Sequence, residues 1–367
     1  MNSRRLEGLD TLRGMAALSV AVFHTVVLRE LIPFDSIPDW FKALYIAVPL
    51  FFAISAFSLS TRYNGSLNRA SDCWHFYLRR FFRIAPLFYL MVAAWILTYS
   101  YLWQQWKTPP IEDIVLNLTF VFNFLPEKVG SIVPAGWSLG TEMVFYAFFP
   151  VLLFVIRNVW TGVVALIFFS AVAVFAGIIF TPLPNTFAWF SAVCQAPFFV
   201  AGIVLFHMFR QMEGWSQQAR KCTALGLLIS SPALLVLLSE LGGHSIVFDG
   251  WHPWPHLTGA ALLPLVLAFA LHPFRLVVNR VTVFFGEISY GIYLIHPVAI
   301  VLVGRPIQTS MEGQPQWLIL LSVVAGVLTT AIILASATYY GFERRISRWR
   351  PRARRATIET ASEPAAA

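Results

Sequence analysis

Charge is scarce in this sequence. Asp, Glu, Lys and Arg make up 12% of its 367 residues, about half the share of a soluble domain, so a water-facing globular surface cannot be built from it. Cysteine is scarcer still. Cys73, Cys194 and Cys222 are scattered through the chain, which excludes a disulfide framework, and no cysteine or histidine cluster has the spacing of metal ligands. No small-residue cleavage site follows the first apolar run, so an uncleaved first span with a cytoplasmic amino terminus is expected rather than a signal peptide. Internal repeats are absent, and so is any segment long enough for a large soluble domain: the longest polar stretches are about 104–135 and 63–79, with a shorter one at 242–255.

What the sequence has instead is apolar mass, 58% hydrophobic residues with 33 Phe and 13 Trp. It reads as an all-α, polytopic membrane helix bundle. Apolar runs of spanning length predict ten helices, at 8–29, 43–62, 80–103, 136–156, 160–180, 187–208, 221–241, 256–272, 281–303 and 316–341. Threaded from an inside start, all but Arg29, Lys42, Lys107, Lys128 and Arg305 of the 26 Lys and Arg residues fall on the cytoplasmic side, along with both termini. Residues 1–345 are thus expected to form one transmembrane domain. Residues 346–367 would be a basic, disordered cytoplasmic tail, and "RRISRWRPRARR" suits anionic lipid better than nucleic acid.

Against this apolar background a few polar groups stand out, because an ionisable side chain inside a bilayer is costly and usually functional. On the first span Arg13 and His24 are 11 residues apart, within about 20° of one meridian and about 16 Å along the axis. Asp10 lies one turn before Arg13 and is placed to orient it. Ala17 and Ala21 between them leave room for close approach. A structural histidine bonded to a carbonyl or hydroxyl is the alternative for His24. In "HFYLRRFFRIAP", Arg80 and Arg83 leave one helix face as forked donors suited to phosphate, with Arg79 one turn from Arg83; snorkelling topology determinants would look the same. "PAGWSLGTEMVFYAFFP" puts Ser138, Glu142 and Tyr146 on one face, with Glu142 at a depth like that of His24. "FGEISYGIYLIHPVAI" aligns Ser289, Tyr293 and His296. Polar groups at one depth and arginines at the inner mouth predict a cavity open at both ends.

These segments resemble, in order along most of the chain, the motifs of the acyltransferase-3 family of integral-membrane acyltransferases: "LDTLRGMAALSVAVFH", "PLFFAISAFSLS", "FYLRRFFRIAP", "WSLGTEMVFY" and "SYGIYLIHP". The resemblance implies transfer of an acyl group, commonly acetyl, from cytoplasmic acyl-CoA to a hydroxyl of a carbohydrate, glycolipid or other cell-envelope acceptor. It implies a multi-pass protein of the cytoplasmic (inner) membrane, His24 as the catalytic histidine, and Arg80 and Arg83 as donor-associated residues. The appended extracytoplasmic hydrolase-like domain of some members is not expected here. Combined with the residue pattern, it places acyl-CoA phosphates near Arg13, Arg80 and Arg83 and the thioester at His24, acting as base or nucleophile. Glu142 is expected to orient the His24 ring, and Ser138, Tyr293 and His296 to make oxyanion or acceptor contacts. Ser55 is expected merely to bond the preceding turn. No tightly bound cofactor and no metal is expected. A proton-coupled transporter or flippase would also bury His and Glu, although the paired broken helices of such proteins are not evident.

Overall fold

The computed structural model describes residues 6–102, 109–184, 186–241 and 252–348; the basic tail beyond 348 and most of the loop expected outside at 242–255 lie outside them. Among these residues ten helices are long and apolar enough to cross a membrane. The main helices are α1 (Glu7–Leu28), α2 (Ala47–Tyr63), α3 (Ala70–Leu102), α4 (Trp137–Val155), α5 (Val159–Phe180) and α6 (Ala192–Met212). They are followed by α7 (Gln217–Glu240), α8 (Pro253–Leu271), a short α9 (Arg280–Glu287), α10 (Ser289–Ala299) and α11 (Gln316–Thr338).

Helix is the form each apolar run must take, since lipid offers the backbone no hydrogen bonds. Two expected boundaries change. The third helix begins at Ala70 rather than 80, which carries Arg79, Arg80 and Arg83 into a continuous helix instead of leaving them at its inner end. The segment expected at 281–303 is broken at Ile288: α9 is a separate element, and the crossing runs Ser289–Ser310, through a π turn at Ile300–Gly304. Hydropathy averages over such a break because the residues on both sides are apolar.

The core lies between α1, α2, α6 and α8, whereas α5 and α7 are peripheral, with 17% and 11% of their most apolar windows buried; their outward Ile, Val and Phe side chains suit lipid. Asn158 and Asn279 start α5 and α9 with reciprocal capping boxes to Thr161 and Thr282. Thr282 also meets Thr11 of α1, hydroxyl to hydroxyl, at 3.2 Å.

The contact between α1 and α9 depends on glycine. A Cβ at Gly286 would sit 2.0 Å from the Asp10 carbonyl oxygen, and one at Gly14 would sit 2.7 Å from the Gly286 nitrogen. Only two bare backbones can approach this closely, and their approach brings Asp10, Arg13 and Glu287 to one cavity. Gly286→Val is therefore expected to lower the melting temperature sharply or abolish recovery of folded protein in detergent, overpacking alone costing about 1–3 kcal/mol. Gly214→Val, at a position with nothing within 4 Å, is the control expected to be neutral. Equal melting of both variants would contradict this account of the helix crossing.

Candidate functional site

Polar residues on six helices line a cavity of about 450 Å³: Asp10 and Arg13 from α1, Ser55, Ser58 and Arg62 from α2, Arg80 and Arg83 from α3, Ser138, Glu142 and Tyr146 from α4, Glu287 from α9, and Ser289, Tyr290 and Tyr293 from α10. Its volume is in the range of small-molecule sites. The helix-face readings for α4 and for the paired arginines are thus borne out as geometry: Ser138, Glu142 and Tyr146 face one space, and so do Arg80 and Arg83. Arg79 turns away and lies over the Tyr63 ring, 5.5 Å from its centroid.

The inner part of the cavity is basic. Arg13 is held by Asp10 at 3.6 Å and donates to Ser58 Oγ at 3.5 Å. Arg80 lies over the Tyr146 ring at 5.9 Å, and its buried Nε has no hydrogen-bond partner. Arg83 is exposed and, among the described residues, has neither a hydrogen bond nor an ion pair. Two forked cations in no direct ion pair with a carboxylate can receive an anion at little cost in broken contacts.

Glu142 does not meet His24. Its carboxylate accepts from Ser55 Oγ at 2.7 Å and from the Tyr146 hydroxyl, so the expected role of orienting the imidazole is corrected. The physical reason is axial offset together with rotation: Ser138 meets Tyr293, which leaves Glu142 one turn to one side of that level and the His24–His296 pair on the other, so the expected equal depth is corrected, and the face of α4 that carries Glu142 looks onto α2, where Ser55 stands. Ser55 is also not the idle hydroxyl expected, since it serves the carboxylate instead of its own preceding turn. Ser58 and Arg62 share the cavity with it. Ser58 and Arg62 had no place in the site expected from the sequence, although the spacing Ser55, Ser58, Arg62 is that of one helix face.

His24 meets His296. Nδ1 of the first lies 2.9 Å from Nε2 of the second, and Nδ1 of His296 lies 2.7 Å from the Tyr293 carbonyl oxygen. Tyr45 and Phe23 flank His24 at 5.7 and 5.6 Å between ring centroids. His296 is fully buried and His24 partly exposed. Neither histidine lines the cavity, whose lining includes Ser138 and Tyr293. The Tyr293 hydroxyl is fixed at that point, donating to the Ala135 carbonyl at 3.0 Å and accepting from Ser138 Oγ at 2.9 Å. The expectation that the histidines line the same cavity as the arginines is therefore corrected: Tyr293 lines it, and its ring lies 6.0 Å from that of His296. Ser138 and Tyr293 occupy each other, and His296 occupies His24. Among the described residues no group of three or more His, Cys, Asp or Glu side chains could hold a metal ion.

A family model described as an acyltransferase domain matches residues 6–336. Three proteins illustrate the relatedness. A protein of Acidianus two-tailed virus, named as a candidate acetyltransferase, is 28% identical over 78% of this chain and 80% of its own length. A Bacillus subtilis protein, named as a candidate peptidoglycan O-acetyltransferase, is 26% identical over 94% of this chain, which spans 55% of that relative's length. The exopolysaccharide production protein ExoZ of Rhizobium meliloti is 27% identical over 70% of this chain and 75% of its own. No solved structure matches.

Proposed function

The chain belongs to the acyltransferase-3 family, and from that premise we propose that it moves an acetyl group from cytoplasmic acetyl-CoA to a hydroxyl of an envelope carbohydrate or glycolipid. The observation that carries the choice of donor is the cavity itself, basic at one end through Arg13, Arg80 and Arg83 and lined by the Ser138 and Tyr293 hydroxyls at the other. Phosphates would be held by the arginine forks, and the acyl-bearing arm would extend along α1 toward His24. The acceptor class is supported by relatives named for peptidoglycan O-acetylation and exopolysaccharide production.

In this reading His24 is the general base. Its free nitrogen takes the hydroxyl proton as the acceptor oxygen attacks the thioester carbon; the carbon–sulfur bond then breaks, and the imidazolium returns the proton to the departing thiolate. For the thioester to reach His24 the Tyr293 phenol must give way, releasing its bonds to Ala135 and Ser138. Ser138 and Tyr293 then become donors free for the developing oxyanion. Both termini and the arginine mouth are cytoplasmic in this scheme, by the distribution of Lys and Arg, and the membrane is the inner one.

The test is sidedness. In oriented vesicles, labelled acetyl-CoA supplied to the arginine face should label an acceptor sugar confined to the opposite compartment, with no intact acetyl-CoA crossing. Intact donor in the lumen would instead indicate a carrier, and labelling only of acceptors on the donor side would refute the proposed acceptor position.

A further inference from the structure

Pro297 follows His296 inside α10, and a proline there has no N–H to give the carbonyl four residues back. That carbonyl belongs to Tyr293. It is taken by His296 itself, whose Nδ1 lies 2.7 Å away. A carbonyl oxygen can only accept, so Nδ1 of His296 carries the hydrogen, and in the neutral ring its Nε2 is then a bare lone pair. This lone pair faces Nδ1 of His24 at 2.9 Å, which puts the hydrogen between the two rings on His24.

The alignment is that of a directed bond. The two ring planes are parallel within 4° and their centroids 5.1 Å apart. With the facing nitrogens at 2.9 Å, that spacing sets the rings edge to edge in one plane rather than face to face, so the N–H points along the lone pair. Once Nδ1 of His24 is a donor, its Nε2 is the bare nitrogen, and it has no hydrogen-bond partner among the described residues.

We propose that His296 is a positioning residue for acyl transfer: through the carbonyl that Pro297 leaves free, it locks His24 in the tautomer whose Nε2 lone pair accepts the hydroxyl proton. This rests on the assignment of His24 as the base. The task usually given to a carboxylate is here performed by a neutral ring, which orients without placing an anion at membrane depth. His296 is suited to it because it is fully buried and held on both nitrogens.

The first experiment needs no substitution at 296. In the ¹⁵N-histidine spectrum of the protein in bilayers, with His24 identified by its disappearance in His24→Ala, Nδ1 of His24 should be protonated and Nε2 bare. The second compares two replacements. His296→Gln offers a carbonyl oxygen to the His24 N–H and should keep kcat within about tenfold, whereas His296→Phe fills the space but accepts nothing. It should lower kcat by about 10²–10⁴-fold with KM for acetyl-CoA unchanged, the scale of a base presented in the wrong tautomer. A protonated Nε2 in the parent protein, parental kcat in His296→Phe, or equal loss in both variants would each overturn the role of His296. Activity retained in His24→Ala would instead overturn the assignment of the base, whatever the spectrum shows.

Discussion

Replacing His24 with alanine is expected to abolish acyl transfer from a protein that still inserts and folds. Loss of a general base removes about 10²–10⁴-fold in rate, and no neighbour can substitute: Tyr45 and Phe23 contribute ring edges, and Nε2 of His296 sits behind the vacated space, fully buried. The structural cost is an unsatisfied acceptor on His296, about 1–3 kcal/mol. It is local, because α1 is anchored elsewhere, through Leu9, Leu12, Ala16, Ala17 and Val20 in the main core and through the glycine crossing with α9. Turnover of labelled acetyl-CoA, measured beside expression and thermal melting in detergent, separates the outcomes. Parental turnover would remove His24 from the chemistry, and loss of folded protein would make it a packing residue.

Exchanging Arg80 and Arg83 together for lysine is expected to raise KM for acetyl-CoA by roughly tenfold or more while leaving the number and direction of crossings intact. Charge is kept, so the positive-inside signal persists; what is lost is the planar fork that binds phosphate through paired N–H groups, each charged hydrogen bond being worth about 1.5–3 kcal/mol. Arg79→Lys supplies the internal control. It carries the same charge in the same helix, but Arg79 lies over Tyr63 and outside the cavity lining, so its KM should not move. If all three positions behave alike, or if only insertion suffers, the arginines are topology determinants and the donor binds elsewhere.

By itself the sequence determined most of what depends on one helix at a time. The ten crossings follow from apolar length, because a backbone in lipid must satisfy its own hydrogen bonds, and the shared faces of Ser138, Glu142 and Tyr146, or of Arg80 and Arg83, follow from the helical period. The exceptions within this class were local: the break at Ile288 is hidden because both flanks are apolar, and α3 starts early because its amphipathic first turns lower the mean hydropathy. Which face meets which was decided only by the tertiary structure. Glu142 and His24 were expected at similar depth, yet Ser138, one turn before Glu142, meets Tyr293, and His24 meets His296 on the other side of Tyr293, so the carboxylate turns to Ser55 and the imidazole to a histidine 272 positions away. The axial offset and rotation of each helix make that choice, fixed for α1 by the backbone contact of Gly14 and Asp10 with Gly286, and a spacing rule contains no term for either.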